Sequence, residues 1–165
     1  MIDRRRFTLL MAGGAAGLSL PSPLRARIRR RQDPWLDWRT VAPGVRAAFG
    51  QGGNVLLVAD GGEALVSDAK NLGFGHTLRR EAEAFGTPVT TAVNTHHHGD
   101  HVGGNVAFAR DLPLVAHPVA RRRVAESAVE TAGRESERIA RTLARLREEG
   151  APEAVIRDVE EEARA

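Results

Sequence analysis

Cysteine is absent from the 165-residue chain, which excludes disulfide scaffolds, thiol nucleophiles and cysteine-based zinc sites within it. Long hydrophobic runs are also missing. The longest apolar stretch, residues 9–20, is shorter than the ~20 residues that a helix needs to cross a bilayer, so we expect no transmembrane span. With 42% hydrophobic and 27% charged residues, the composition is that of one soluble globular domain and excludes fibrous and multi-pass membrane proteins.

Basic charge is concentrated at the amino terminus. Residues 1–31 carry eight Arg and one Asp, whereas the rest of the chain carries 16 basic and 20 acidic side chains. A nucleic-acid-binding protein is expected to hold its positive charge on the folded body, and here the body is mildly acidic. Nucleic-acid binding by the basic arm is therefore the last-ranked alternative.

Residues 1–31 have the organisation of an export signal followed by a basic linker. Arginines at positions 4–6 precede the apolar stretch, and a second basic cluster follows it. The segment Asp3–Leu9 resembles the twin-arginine signal pattern, although it departs from that pattern at three flanking positions. This resemblance implies export by the twin-arginine machinery to the periplasm. A disordered basic tail is the alternative, and no cleavage site is evident.

Residues 32–118 predict a mixed α/β unit in which a helix at residues 74–85 covers one face of a sheet. Five short runs of alternating or β-branched residues, bounded by turn residues, predict strands. They lie at residues 45–49, 54–59, 64–68, 89–94 and 114–116. The first three are expected to form a meander because tight glycine turns join them.

Residues 119–165 predict a helical hairpin. Apolar stripes at helical spacing occupy residues 139–146 and 155–159, on either side of Gly150, which suits the end of a helix. The charged runs of this segment, Glu160–Glu162 among them, are expected to form a solvated face.

Four of the six histidines lie within residues 96–101. This stretch follows a predicted strand and is interrupted by glycine, so we expect a loop that leads into a helix start. Side chains two residues apart in an extended loop point the same way, and His96 and His98 can therefore reach one cation. Asp100 and His101 can address the same cation or a neighbour about 3.5–4 Å away.

Nitrogen and carboxylate ligands suit Zn²⁺ first, with Fe or Mn as alternatives, and do not offer the all-oxygen shell that Ca²⁺ and Mg²⁺ prefer. Two other interpretations of these histidines fit the sequence less well. Adventitious binding by a histidine-rich loop does not explain the pair Gly99–Asp100. A helix that pairs His97 with His101 lacks a glutamate between them and must contain Gly99. We therefore favour a built metal site.

The sequence THHHGDHVGGN at residues 95–105 resembles the HxHxDH signature of the metallo-β-lactamase superfamily. The likeness extends upstream to the predicted hairpin at residues 54–68, which ends in Asp68, and covers about residues 41–118. The resemblance implies an α/β fold, namely the metallo-β-lactamase-like αββα sandwich. Only the first half of that sandwich would be present, followed by the helical hairpin.

By this resemblance, His96 and His98 would hold one zinc ion, and Asp100 and His101 a second. Asp68 would support the site by contacting these ligands rather than the metal ions. The implied reaction is hydrolysis of a small molecule, in which a metal-activated water attacks a carbonyl or phosphoryl centre. Asp100 would also be catalytic, orienting this water and handling its proton. The motif does not specify the substrate.

The resemblance also implies further ligands, two histidines and a bridging aspartate, from a second half of the sandwich. No histidine follows His117, and Asp158 is the single aspartate in residues 119–165. We therefore expect a chain cut before that half, with an uncovered sheet face and edge and little activity by itself. The alternative is a non-catalytic periplasmic metal-binding or accessory module whose hairpin docks a partner. The sequence does not specify an oligomeric state.

Overall fold

The computed structural model describes residues 34–164, and the predicted export signal at residues 1–31 lies outside them. Six strands in the described part form one sheet, in the order of the chain. They are β1 (Asp37–Ala42), β2 (Val45–Phe49), β3 (Val55–Asp60), β4 (Glu63–Ser67), β5 (Val89–Asn94) and β6 (Leu114–Ala116). Each neighbouring pair among the first four strands is antiparallel, whereas β5 runs parallel to both β4 and β6.

The predicted meander is confirmed in β2, β3 and β4. Gly61 and Gly62 join β3 to β4 with φ angles of 58° and 88°, a left-handed conformation that glycine adopts without steric cost. The edge strand β1 was not predicted. Its sequence DWRTVA is exposed at nearly every position, so it carries no alternation of buried and exposed residues.

Helices occupy the connection before β5, the loop after it and most of the chain beyond β6. They are α1 (Gly75–Glu83), α2 (Gly99–Val102), α3 (Val106–Ala109), α4 (Pro118–Thr131), α5 (Glu135–Glu148) and α6 (Glu153–Glu162), with 3₁₀ turns at Gly103–Asn105 and Ala132–Arg134. Within residues 34–164, no helix is both long and apolar enough to span a bilayer.

One face of the sheet packs against α1 and α3. Strand β3 shows the alternation, because Val55 and Leu57 are buried in this core whereas Leu56 and Val58 are exposed on the opposite face. Phe108 of α3 is fully buried in the same core. Among the residues that the structure describes, the opposite face thus keeps apolar side chains open to solvent, as expected for half of a layered fold.

Helices α5 and α6 form the predicted hairpin. Leu146 of α5 and Val155 and Val159 of α6 are almost completely buried in a second core, together with Phe74 at the start of α1. Gly150 makes the turn between the two helices with a φ of 65°. The hairpin is therefore packed against the helix that covers the sheet.

Glu162 corrects the prediction of a solvated face, because its side chain is only 5% exposed. Its two carboxylate oxygens accept hydrogen bonds from the backbone N–H groups of Gly73 and His76, both at 2.7 Å. No side chain of α1 itself caps these first-turn donors, and a carboxylate at a helix N-terminus is favourable. Burial nevertheless raises the pKa of Glu162 to about 7.

Glu162→Gln is expected to change how stability depends on pH. Because the pKa of Glu162 rises from 4.5 to about 7 on folding, the folded protein holds a proton that the unfolded chain releases between these values. The free energy of unfolding should therefore fall by about 3 kcal/mol as the pH rises from 4.5 through 7, and this fall should be missing in the variant. Urea unfolding at about pH 5 and about pH 8 measures it. Glu161→Gln, at the exposed neighbouring residue, is the control and should keep the wild-type pH dependence. Equal pH dependence of the unfolding free energy in wild type and E162Q would contradict the prediction.

Candidate metal centre

The candidate centre lies where β4 and β5 end. Because the two strands are parallel and Ser67 pairs with Val93, their carboxyl ends meet at the same edge of the sheet. Asp68 follows β4, and its backbone N–H still donates to the carbonyl of Val93 at 2.7 Å. Thr95 follows β5 at the same level, so the acidic residue and the start of the histidine-rich loop are neighbours.

Asp68 accepts three hydrogen bonds although its side chain is almost completely buried. Oδ1 accepts the backbone N–H of Thr95 at 2.8 Å. Oδ2 accepts the Thr95 hydroxyl at 2.8 Å and Nδ1 of His101 at 2.9 Å. A buried carboxylate needs such donors, and here all of them come from the loop after β5 and from α2.

These bonds define which ring nitrogens of His96 and His101 are free. The single hydrogen of the Thr95 hydroxyl goes to Asp68, so its oxygen accepts the Nδ1 hydrogen of His96 at 2.9 Å. An ionised carboxylate only accepts, so Nδ1 of His101 also carries hydrogen. Both rings therefore keep the lone pair of Nε2 for a metal ion, an arrangement typical of histidine ligands.

The remaining predicted ligands lie beside these two rings. The ring centroid of His96 is 4.1 Å from that of His101 and 4.7 Å from that of His98. Oδ2 of Asp100 is 3.5 Å from Nε2 of His101. Ligand atoms of Asp68, His96 and His101 all lie within 4.8 Å of one another. The structure thus groups the ligand atoms of Asp68, His96 and His101, with His98 and Asp100 beside them, and this set of nitrogen and carboxylate donors fits a divalent metal ion.

A groove of about 600 Å³ borders the cluster, between the histidine loop and α4. His97, which was not predicted as a ligand, lines it together with His98 and Asp100, while Val124 and Ser127 of α4 form the opposite wall. The pKa of His97 is lowered from its ordinary value. Desolvation is the largest cause, and the electrostatic effects of His98 and Arg123 lower the pKa further. The groove gives a small molecule room next to the candidate ligands.

Two supporting contacts were not predicted from the sequence. Asn94 and Asn105 exchange reciprocal amide hydrogen bonds of 3.0 and 2.8 Å and so close the base of the histidine loop. Thr95 connects Asp68 to His96 through its hydroxyl. Thr95 and Asn105 flank the histidine motif in the sequence. The partners of their side chains could not be predicted, because they depend on how the loop folds back.

The fold and the cluster together define a class: a mixed α/β protein with a cluster of histidine and aspartate side chains, a candidate metal centre, after two parallel strands. Residues 48–164 match the family model of the metallo-β-lactamase superfamily. The chain belongs to this superfamily, as its motif had indicated.

Comparison with individual proteins gives shorter matches. Hydroxyacylglutathione hydrolase of Synechococcus sp. (strain ATCC 27144 / PCC 6301 / SAUG 1402/1) is 53% identical over 34 residues, which are 21% of this chain and 13% of that protein. The metallo-β-lactamase of Hirschia baltica matches with a TM-score of 0.53 and 19% identity over 56% of this chain and 48% of its own. The metallo-β-lactamase FIM-1 of Pseudomonas aeruginosa, in its mono-zinc form, gives 0.51 and 19% over 59% and 48%. The chain thus spans about half the length of these solved structures.

Thr95→Val is expected to release the ring of His96 without moving that of His101. The variant removes the hydroxyl that accepts the Nδ1 hydrogen of His96, and the lost preference for this tautomer is about 1 kcal/mol. Ring ¹⁵N chemical shifts measured by NMR on the metal-free protein report the tautomer of each histidine. Thr90→Val is the matched control, because that hydroxyl donates to the carbonyl of Ala64, away from the cluster. An unchanged His96 tautomer in T95V would contradict the assigned chain of hydrogen bonds from Asp68 through the Thr95 hydroxyl to His96.

Proposed function

We propose that this chain carries the metal-holding part of a hydrolase that acts on a small molecule with a reactive carbonyl or phosphoryl group. The observation that carries the proposal is the common orientation of His96 and His101, whose Nδ1 atoms are both engaged by the Asp68 network. Membership of the metallo-β-lactamase superfamily and the local similarity to a hydroxyacylglutathione hydrolase support it.

In this proposal His96, His98, Asp100 and His101 hold the metal, with two zinc ions in a complete domain and Fe or Mn as alternatives. When bound, the metal would lower the pKa of a water molecule to about 7 and would polarise the carbonyl or phosphoryl group of the substrate. Asp68 supports the cluster by holding Nδ1 of His101 directly and that of His96 through a threonine hydroxyl. These contacts fix the directions of the two rings before any ligand arrives.

Asp100 is the proposed catalytic residue. Its side chain is 48% exposed and lines the groove, so it can reach both the cluster and a molecule bound beside it. Its carboxylate accepts a hydrogen bond from the attacking water, orients this water toward the substrate and takes up its proton. The groove wall formed by α4 positions the substrate, and its shape rather than the motif determines which substrate fits.

We also propose that the protein acts in the periplasm. Residues 1–31 serve as a twin-arginine signal and linker, residues 32–118 as the amino-terminal half of the domain, and residues 119–165 as a helical insertion. The arginine pair followed by a bounded apolar stretch supports this assignment.

A non-catalytic metal-binding or accessory module is the second candidate. It is favoured by one observation, that the candidate metal cluster within the described residues groups only three side chains, Asp68, His96 and His101. The four proposed ligands provide two groups for each of two ions, whereas a catalytic zinc ion usually has three protein ligands. By this argument, the 165 residues alone bind metal more readily than they turn over substrate.

Zinc content and turnover together test the two candidates. We expect the purified chain to bind zinc, and His98→Ala to abolish any hydrolysis and to reduce zinc affinity by more than the about 10- to 100-fold that the loss of a ligand's supporting partner costs, because a ligand itself is lost. Chelator competition measures the affinity, and a panel of ester, lactam, thioester and phosphodiester substrates measures hydrolysis. His117→Ala is the matched control, since this exposed histidine lies outside the cluster.

Three outcomes distinguish the candidates. A wild-type chain that binds no zinc contradicts the metal centre itself. Zinc binding without turnover on any substrate favours the accessory module. Stoichiometric binding of two zinc ions together with robust hydrolysis contradicts the expectation that these 165 residues are poorly active alone.

A further inference from the structure

Lys70 is the single lysine of the chain, and its side chain is completely buried. Its ammonium group donates to two backbone carbonyls, those of Ala48 at 2.8 Å and Gly53 at 2.9 Å. No carboxylate within residues 34–164 forms an ion pair with it. Burying a cation among carbonyl groups alone is costly, so the arrangement requires an explanation beyond the filling of space.

The carbonyl groups that Lys70 holds belong to the end of β2 and to the turn that follows it. This turn lies directly against α2. The backbone N–H of Gly53 donates to the carbonyl of Asp100 at 2.9 Å. A Cβ atom at Gly53 would overlap with the imidazole ring of His101, and one at Gly52 would lie 2.9 Å from the carbonyl oxygen of Asp100. The turn therefore supports two of the proposed metal ligands through bare backbone.

The backbone around Lys70 contacts the same region from the other side. The N–H of Ala69 donates to the carbonyl of His101 at 2.7 Å, and the carbonyl of Lys70 accepts the N–H of Gly104 at 3.3 Å. Asp68 meanwhile holds Nδ1 of the His101 ring. The ring is thus held at Nδ1 by a carboxylate, while its Cε1, Nε2 and Cδ2 atoms lie close to Gly53.

We propose that Lys70 is a positioning residue. Its ammonium group pins the Gly52–Gly53 turn against α2 and thereby fixes the ring of His101 and the backbone of Asp100. The inference rests on the proposed function only for the role of the ring as a metal ligand, since the contacts themselves involve no metal. If Lys70 merely stabilised the fold, its loss would lower the free energy of unfolding and leave the His101 ring of the folded protein unchanged.

Lys70→Met tests the inference, because methionine is long and apolar but cannot donate to the two carbonyls. We expect the ring ¹⁵N and ¹H chemical shifts of His101 in the metal-free, folded protein to change. We also expect the affinity for Co²⁺, read from its visible absorption spectrum, to fall about 10- to 100-fold. Val89→Ala is the control, because it removes a buried side chain at the start of β5, at the opposite end of that strand from the histidine loop, and so destabilises the protein away from the turn. Its His101 shifts should match those of the wild type.

Gly53→Ala changes the contact between the glycine turn and the His101 ring directly. It keeps the inference testable if K70M does not fold. The added Cβ overlaps with the His101 ring, so the ring must move and its shifts must change. Gly133→Ala adds the same methyl group where nothing lies within 4 Å and should change neither readout.

Unchanged His101 shifts in folded K70M overturn the inference, as do unchanged shifts in G53A. Failure of the wild-type chain to bind Co²⁺ would count against the proposed function alone, because the shifts of the metal-free ring still report on the role of Lys70.

Discussion

The carboxylate of Asp68 is the interaction on which the candidate centre depends. It is 3% exposed, and a charge so deeply buried is tolerated only where donors surround it. The donors are the N–H and hydroxyl of Thr95 and the Nδ1 of His101. One buried charge therefore holds the loop after β5 and the helix α2 in place. The same bonds leave the opposite ring nitrogens free, so the contacts that stabilise the loop also prepare the ligands.

The backbone at this point departs from ordinary geometry. Asp68 and Lys70 have φ angles of 68° and 71°, which non-glycine residues rarely adopt and which cost about 1–3 kcal/mol each. Each strained residue directs a buried charged side chain to several partners, Asp68 toward the loop and Lys70 toward the glycine turn. The hydrogen bonds made by these side chains offset the strain. Backbone strain of this kind is typical of functional sites rather than of plain connections.

The sequence predicted the elements whose information is local. Strand β5 is alternating and β-branched, and the predicted range, residues 89–94, coincides with the observed one. The motif was predictable because its four candidate ligands lie within six residues. The roles of Lys70 and Glu162 were not predictable, because the lysine contacts a carbonyl 22 positions away and the glutamate contacts an N–H group 89 positions away. The charged run that contains Glu162 was predicted as a solvated face and Lys70 was given no role, because only tertiary packing makes both side chains buried anchors.

The helical hairpin and the candidate centre share one continuous set of contacts. Glu162 of α6 binds the N–H groups of the turn that begins α1. Gly75 in this turn is packed so closely against Gly104 that a Cβ on either would overlap with the other. Gly104 in turn donates to the carbonyl of Lys70. The contact between α6 and the turn is made by the Glu162 side chain, whereas the remaining contacts are between backbones, so a shift of α6 must move the turn through that carboxylate or break its two hydrogen bonds. The hairpin is thus part of the structure that supports the candidate ligands.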